Sequence, residues 1–550
     1  MASVSPKSAS ASRQMTEPKI VFIGFMGSGK SRAARHAAST LGAQALDSDL
    51  LLETELGESI PSFFDSNGEA AFREREERLV LDLLDNPEAR IVALGGGAVL
   101  SESVRKRLGD HLCIHMEVEP ELSWERARKS ERPLARDRER FLMLLDERRP
   151  LYDSLARAIV PARDDLIHKA LPAALKLAQP GVPSSIRLIW ARTASGGYPV
   201  YVGDAVIDSA DRLLPDASRC FLVADEHVHA LHGERLALGI GSGLRREDLL
   251  TVPPGEEQKT LAQSEQVLQA LARAGFERSD TLVAFGGGVV GDLAGFCAAV
   301  YQRGVALVQV PSTLLAQVDS AYGGKTGVDL PEAKNYVGAF HEPVAVLTDP
   351  ELLSTLPPAE LRAGFAEVIK TALIAGGSLW RSVCEIGRVE RAPKDEPAAL
   401  QALIEGCLRT KLNIVAEDEH DRGLRASLNL GHTFAHALEA AGDYRGYRHG
   451  EAVGLGMLVA LRLSERELGL DRSVRDRVVE LLSANDLPTR VTGPSIDAIL
   501  EHTEFDKKRM QGRRNLVLLD SPGAVRIGCE VSDQSLRQAI EEISGGGGES

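Results

Sequence analysis

Cysteine is scarce and scattered: Cys113, Cys220, Cys297, Cys384, Cys407 and Cys529 are the only six, and no two form a CxxC pair. A disulfide framework or a cysteine-held zinc site is therefore excluded as the organising device, and reduced thiols in a cytoplasmic protein are expected. No uninterrupted apolar run approaches the ~18 residues that a membrane span requires. Residues 1–18 are rich in Ser and Ala and lack an apolar core. They read as a disordered tail and not as a secretory signal. Positive charge is in deficit, with 64 Lys and Arg against 79 Asp and Glu and a formal net charge of −15. A general nucleic-acid binder needs the opposite balance, because a phosphate backbone must be neutralised along its length. Small anionic substrates stay open, since a local cation cluster suffices for them.

At 550 residues the chain is too long for one core. Two blocks each open on an apolar strand followed by glycine. In the first, strand-like runs at 19–24, 91–94 and 112–118 alternate with helical stretches such as Ser31–Leu41, Glu69–Leu84 and Asp164–Ala178, the pattern of a parallel α/β domain. The breaker-rich Gln179–Ser185 follows and reads as a linker. In the second block, strand-like runs recur at 186–191, 221–224, 281–285 and 306–310. After Leu356 the pattern turns helical. The fold class is α/β throughout. A P-loop domain with a parallel sheet and flanking helices is expected over 19–178. A Rossmann-like half is expected over 186–356, and a mostly helical half over 357–545.

Gly24-Phe-Met-Gly-Ser-Gly29-Lys30-Ser31 fits GxxxxGK[ST] and sits between a strand and a helix, the context this loop requires. Backbone N–H groups at such a helix start face phosphates, Lys30 reaches the β- and γ-phosphates, and the Ser31 hydroxyl ligates Mg²⁺. Further motifs follow in order: Asp47-Ser-Asp49, Phe72-Arg73-Glu74-Arg75-Glu76, Leu94-Gly-Gly-Gly97, Arg132-Pro-Leu134 and Arg148-Arg-Pro-Leu-Tyr152. Taken singly, Arg73 could be a solvated helix face, and Asp47 and Asp49 turn formers. As a series they resemble the shikimate kinase family over about residues 19–175. The resemblance implies that Gly27, Ser28, Gly29, Lys30, Ser31, Arg32 and Arg132 hold ATP, with Ser31 and Asp47 around Mg²⁺. It implies that Asp49, Arg73, Gly96 and Arg148 hold shikimate, and that Lys30, Asp49 and Arg132 serve the transfer. Either Arg126 or Arg128 is left as the nucleotide contact, because the stretch from Trp124 to Arg132 is short.

In the second block, Gly286, Gly288 and Gly291 satisfy GxGxxG after a strand, a weak signal alone, and no acidic residue on a clear strand end follows about twenty positions later. His432 and His436 share a helix face at a spacing of four, His449 follows a turn, and Glu367 lies upstream. Catalytic zinc takes three N/O ligands and keeps a position open, and spacing alone leaves any three of these four. Arg303, Lys325, Lys334, Lys370, Lys411, Arg425, Lys507 and Lys508 supply cations in polar, Gly-rich contexts.

The second block resembles 3-dehydroquinate synthase over about residues 186–545. Its motifs run from Gly255-Glu-Glu-Gln-Lys259 through Gly286–Asp292, Tyr301-Gln-Arg303, Pro311–Gly327, Lys334-Asn335, Ala366–Lys370 and Arg425–His432 to His449-Gly-Glu451. The resemblance implies Glu367, His432 and His449 as ligands of Zn²⁺ or Co²⁺. NAD falls to Asp225, Glu256, Lys259, Gly287, Gly288, Asp292, Ser312, Thr313, Lys325, Lys334 and Thr355. The phosphorylated substrate falls to Arg303, Asp319, Lys325, Asn335, Lys370, Lys411, Arg425, Asn429, His436 and one of Lys507 or Lys508. Asp319, Lys325 and His436 join the chemistry, and Arg303 can come from a second subunit of a homodimer formed through this half.

The implied substrate is 3-deoxy-arabino-heptulosonate 7-phosphate. NAD⁺ oxidises a ring hydroxyl, phosphate leaves by elimination, the hydride returns, and ring opening with an aldol closure gives 3-dehydroquinate, so NAD is regenerated in each turnover. A related polyol dehydrogenase with net NAD turnover is the rival reading. The Lys/Arg pocket and Gly-Gly-Lys325-Thr-Gly speak against it. A decayed scaffold domain is the other rival, against which Lys30, Asp49, Glu367, His432 and His449 are all intact.

Overall fold

The computed structural model describes residues 18–130, 137–163, 166–215, 219–442, 446–509 and 516–544, with the backbone alone over 504–509. The predicted site residue Arg132, the side chains of Lys507 and Lys508, and the tail up to residue 17 lie outside the described residues. The chain forms two units, Met1–Pro180 and Gly181–Ser550.

The first unit is built on five parallel strands, in the order Ala45–Asp47, Ile91–Ala93, Ile20–Ile23, Leu112–Glu117 and Ala158–Pro161. Val21, Phe22 and Ile23 are buried, as a strand covered on both faces demands. The register sets Phe22 beside Ala93 and Ile23 beside His115, so the glycine loop and the Gly95–Gly97 triplet emerge at one carboxyl edge. The first helix, Lys30–Leu41, starts after Gly29 in the left-handed region. The expected helix over 69–84 is the distal part of Ile60–Asp85, which breaks at Gly68 (φ 81°, ψ 170°). The terminal helix of this unit is shorter than its sequence suggests, at Ile167–Lys176.

The second unit carries a seven-stranded sheet. Its order is Arg187–Ala191, Tyr198–Val202, Ala345–Thr348, Ala306–Pro311, Thr281–Gly286, Cys220–Asp225 and Leu244–Val252. The first pair is antiparallel and the others are parallel. A separate hairpin pairs Lys325–Leu330 with Ala333–Phe340. Helices then dominate, chief among them Pro358–Ala375, Pro397–Glu417, His432–Ala441 and His449–Glu467. This half is not wholly helical: Leu516–Ser521 and Ala524–Cys529 form an antiparallel hairpin that the sequence reading passes over. One strand is buried and its partner exposed, and Leu519 N donates to the Ser464 hydroxyl of the helix beneath.

Three helices meet backbone to backbone. A Cβ at Gly450 would lie 1.9 Å from the Ala363 carbonyl, and one at Gly456 2.1 Å from that of Gly431. Glycine at these contacts lets the helices bearing Glu367, His432 and His449 close on each other.

Candidate active sites

In the first unit, the Lys30 ammonium donates to the Phe25 carbonyl of its own loop at 3.0 Å, and the buried Ser28 hydroxyl has no partner among the described residues. These groups fit a phosphate cradle. Asp47 caps the helix Ser48–Leu56, accepting from Asp49 N (3.0 Å) and Leu50 N (3.4 Å), which fixes the following aspartate. Asp49 and Arg73 converge on the glycine triplet: a Cβ at Gly95 would lie 2.5 Å from the Asp49 carboxylate, and one at Gly97 1.9 Å from the Arg73 guanidinium. Gly96 O accepts from the Tyr152 hydroxyl at 2.5 Å. Arg148 is buried over the Phe25 ring, 5.8 Å from its centroid. A carboxylate, two guanidiniums and glycine backbone thus gather around the phosphate loop. Arg126 is committed to structure, donating to Gly27 O and Ala162 O at 3.2 Å each.

Sequence reasoning gave no role to Glu76. It is buried, pairs with Arg73 at 2.5 Å, and is pushed upward in pKa by burial against the pull of Arg73. Its spacing of three from Arg73 was the available signal.

In the second unit, Glu367 is 1% exposed and offers Oε1 to two imidazoles, 3.5 Å from His432 Nε2 and 3.4 Å from His449 Nε2. A divalent ion about 2.1 Å from each donor, in tetrahedral geometry, separates them by about 3.4 Å. The donor set therefore fits zinc or a similar ion. His432 directs Nδ1 at the Leu430 carbonyl, 3.4 Å away, which leaves Nε2 for a ligand role. Burial drives the His432 pKa down, to about 3, with Lys370 adding to the effect. Burial also acts against charge on His449, yet Glu367 and Glu439 hold it up, at about 9. His436 is exposed, with its ring 5.5 Å from that of His432. It does not join Glu367 in this trio.

Around the trio lies a charged cluster. Lys370 pairs with Glu367 at 2.5 Å, and Lys411 donates to the Asp319 carbonyl at 2.6 Å and to its carboxylate. Burial opposes ionisation of Asp319, but Lys411 and Lys370 bring it to about 2. Asp319 rides on a widened π-type turn, Ala316–Ser320, of a kind that often marks functional sites. Arg425 is buried and donates to Glu419 O at 2.7 Å and Gly323 O at 2.8 Å.

The nucleotide-side residues gather at the carboxyl ends of adjacent strands. Gly286 pairs with Pro311 and Phe285 with Ala224, which sets Gly287, Ser312, Thr313 and Asp225 side by side. Asp225 caps the helix Glu226–Ile240. The buried Ser312 and Ser320 hydroxyls have no partner among the described residues, and they flank the start of the helix Gly288–Val300. A helix N-terminus with unspent donors fits a pyrophosphate. Gly291 has another role, since a Cβ there would lie 2.8 Å from Gln309 of the sheet. Lys259 bridges Asp292 (2.6 Å) and Asn335 (2.5 Å), joining a residue expected at the nucleotide to one expected at the phosphate. Glu256 is exposed and acts on this group by charge. Of the other predicted residues, Lys325 is half exposed and pairs with Asp421 at 2.5 Å, Thr355 meets His232 at 2.7 Å, and Arg303 and Asn429 are exposed.

Glu439 is a second residue that the sequence reading missed. It is buried on the His432–Ala441 helix, 3.5 Å from His449 Nδ1 and 3.4 Å from Lys334. Burial would raise its pKa, but His449 and Lys334 hold it at about 2. Positions 432, 436 and 439 share one helix face, the signal that could have found it. Glu439 holds the His449 ring from Nδ1, the nitrogen opposite the one that faces Glu367. Glu439→Gln is expected to weaken metal affinity by about 10–100-fold, measured by chelator competition.

A family model for shikimate kinase matches residues 26–175, and models for the N-terminal and C-terminal parts of 3-dehydroquinate synthase match 249–363 and 364–509. The 3-dehydroquinate synthase of Halorhodospira halophila is 45% identical over 363 residues, covering 65% of this chain and 99% of its own length. That of Symbiobacterium thermophilum is 41% identical over 353 residues, covering 63% and 98%. Among solved structures, 2-epi-5-epi-valiolone synthase from Streptomyces hygroscopicus subsp. jinggangensis, with NAD⁺ and Zn²⁺ bound, aligns with a TM-score of 0.58 at 26% identity over 63% of this chain and 96% of its own. 2-Deoxy-scyllo-inosose synthase, complexed with carbaglucose-6-phosphate, NAD⁺ and Co²⁺, aligns with a TM-score of 0.59 at 25% identity over 65% and 99%.

Proposed function

The chain belongs to the 3-dehydroquinate synthase family and carries a shikimate kinase domain ahead of it, and from that premise we propose which of its residues perform each of its two reactions. One reaction phosphorylates shikimate from ATP with Mg²⁺. The other converts 3-deoxy-D-arabino-heptulosonate 7-phosphate to 3-dehydroquinate and phosphate with NAD and a divalent metal. Both belong to the shikimate pathway, and the two steps are not consecutive.

In the synthase, Glu367, His432 and His449 hold the metal. When bound, the metal polarises a substrate hydroxyl as a Lewis acid and NAD takes up and returns the hydride. Lys411 and Arg425, with Asn429, bind the substrate carboxylate, because buried cations recognise it through charge-assisted hydrogen bonds. Asn335, Lys325 and Arg303 bind the phosphate, with Arg303 reaching across a homodimer formed through the synthase half. Asp319 fixes Lys411 and opposes the loss of its charge that burial favours. Asp225, Lys259, Gly287, Gly288, Asp292, Ser312 and Thr313 bind NAD.

In the kinase, Arg73 and Arg148 clamp the shikimate carboxylate while Asp49 accepts the proton of the attacking hydroxyl. Lys30 and Ser31 serve the phosphates and Mg²⁺, and Arg132 completes the transfer site. The kinase occupies 19–178 and the synthase 186–545, with 179–185 as the linker.

One observation carries the synthase assignment: a carboxylate and two imidazoles from three helices meet at metal-ligand spacing within reach of a lysine pair. Removal of tightly held metal by chelator, followed by restoring Mg²⁺ alone, is expected to abolish the synthase and leave the kinase intact. Zinc or cobalt then restores the synthase, and NADH does not accumulate during turnover. Accumulating NADH would indicate a dehydrogenase instead.

A further inference from the structure

Glu342 has no place in the chemistry described so far. It follows the hairpin strand Ala333–Phe340, and its Oε2 is buried without a partner among the described residues. Gly323 and Gly324, both at positive φ (82° and 63°), run between this carboxyl and Arg425. A Cβ at Gly324 would lie 2.8 Å from the Glu342 carboxyl carbon, and one at Gly323 2.8 Å from Arg425 Nη2. The turn leads directly into Lys325. Gly323 N donates to the Tyr198 hydroxyl at 3.2 Å, and that hydroxyl hydrogen-bonds Glu342. The groups facing Glu342 are Tyr198 from its strand, Lys411 from the helix Pro397–Glu417, and Glu419 and Arg425 from the segment after it.

We propose that Glu342 sets how tightly the carboxylate end of the substrate is held: it is neutral when the substrate binds, and once ionised it competes with the substrate for Arg425. The inference rests on the assignment of Arg425 and Lys411 to the substrate carboxylate. Lys411 already has Asp319 as its counter-charge, whereas the Arg425 guanidinium bonds two uncharged carbonyls. Arg425 is thus left for an incoming anion, and Glu342, across the turn from it, acts on it by charge, as Asp418 also does. Burial, with the charge of Glu419, pushes the Glu342 pKa up to about 7 against the pull of Arg425, Tyr198 and Lys411. The competition therefore sets in across neutral pH.

The test uses the full chain loaded with zinc and NAD. KM for the heptulosonate phosphate is measured from pH 6 to 9 in the unaltered protein and in Glu342→Gln, which keeps the shape and cannot ionise. Their ratio cancels the titration of the substrate's own phosphate. That ratio is expected to rise about tenfold toward pH 9, which is a repulsion of about 1.4 kcal/mol between the ionised carboxyl and the substrate carboxylate. The kcat values and the KM for NAD should stay together. Tyr198→Phe removes a donor that favours the ionised form, so its rise should move to higher pH. A ratio that is flat with pH overturns the proposal, as does Glu342→Gln losing turnover while keeping metal and NAD. If Glu342→Gln fails to bind metal or NAD, an unmoved rise in Tyr198→Phe overturns it alone. Arg425→Lys should raise KM at every pH. If it does not, the carboxylate assignment itself fails, a result distinct from failure of the role given to Glu342.

Discussion

Glu367→Gln is expected to strip the synthase half of its metal and to lower 3-dehydroquinate formation by at least about 10³-fold, while shikimate phosphorylation stays within about twofold of the unaltered chain. A Lewis acid supplies several kcal/mol of transition-state stabilisation, and each 1.36 kcal/mol is about a decade in rate. Both imidazoles approach the Glu367 carboxylate, so its loss opens the proposed centre from the middle. It is also the partner of fully buried Lys370, and breaking a buried ion pair costs about 3–5 kcal/mol. Lost stability could then mimic lost metal. His432→Ala separates the two effects, because it removes a ligand and leaves Lys370 paired. Metal content per chain, thermal stability and both rates are measured together. Full metal occupancy with an active synthase in both variants would sink the three-ligand assignment.

Lys30→Ala is expected to lower the kinase rate by at least about 10²–10³-fold and to leave the synthase unchanged. Removing one preorganised group from a developing charge costs that much, and phosphoryl transfer depends almost wholly on such groups. Lys30 sits at the start of its helix with its ammonium against the Phe25 carbonyl, a position from which a bound phosphate can draw it. Every residue assigned to the synthase lies in the other unit, Gly181–Ser550. Parallel assays of ATP consumption with shikimate and of phosphate release from the heptulosonate phosphate check this. Loss of both activities would mean that the two sites do not work independently.

The kinase site was legible because its parts are local. A strand, a glycine loop and a helix are contiguous in sequence, and Asp49, Arg73 and the glycine triplet each lie on short motifs. Their meeting was not local: only the parallel register that sets the Ile20–Ile23 strand against Ile91–Ala93 brings the loop and the triplet to one edge. Asp47 shows the limit of residue type as evidence. Its carboxylate caps the helix that presents Asp49, a structural role available to any aspartate at that position. The hairpin Leu516–Cys529 escaped because its two strands of six residues pair, among the described residues, only with each other, beyond the helical stretch that dominates this half.

From sequence alone came two α/β blocks, a phosphate-binding loop, a glycine turn at a strand end, and four residues from which a metal site could be drawn. Those features follow from periodicity and from steric rules acting over a few neighbours. Spacing suggested His432 with His436, one turn apart on a helix. The tertiary structure instead brings His449 to Glu367, because Gly450 lets one helix touch the Ala363 carbonyl of another. Glu439 behind His449 and Glu342 behind the Gly323–Gly324 turn carry no local pattern that reports their burial. A carboxylate acquires such a role from the charges that packing sets around it, and those charges come from segments far away in the chain.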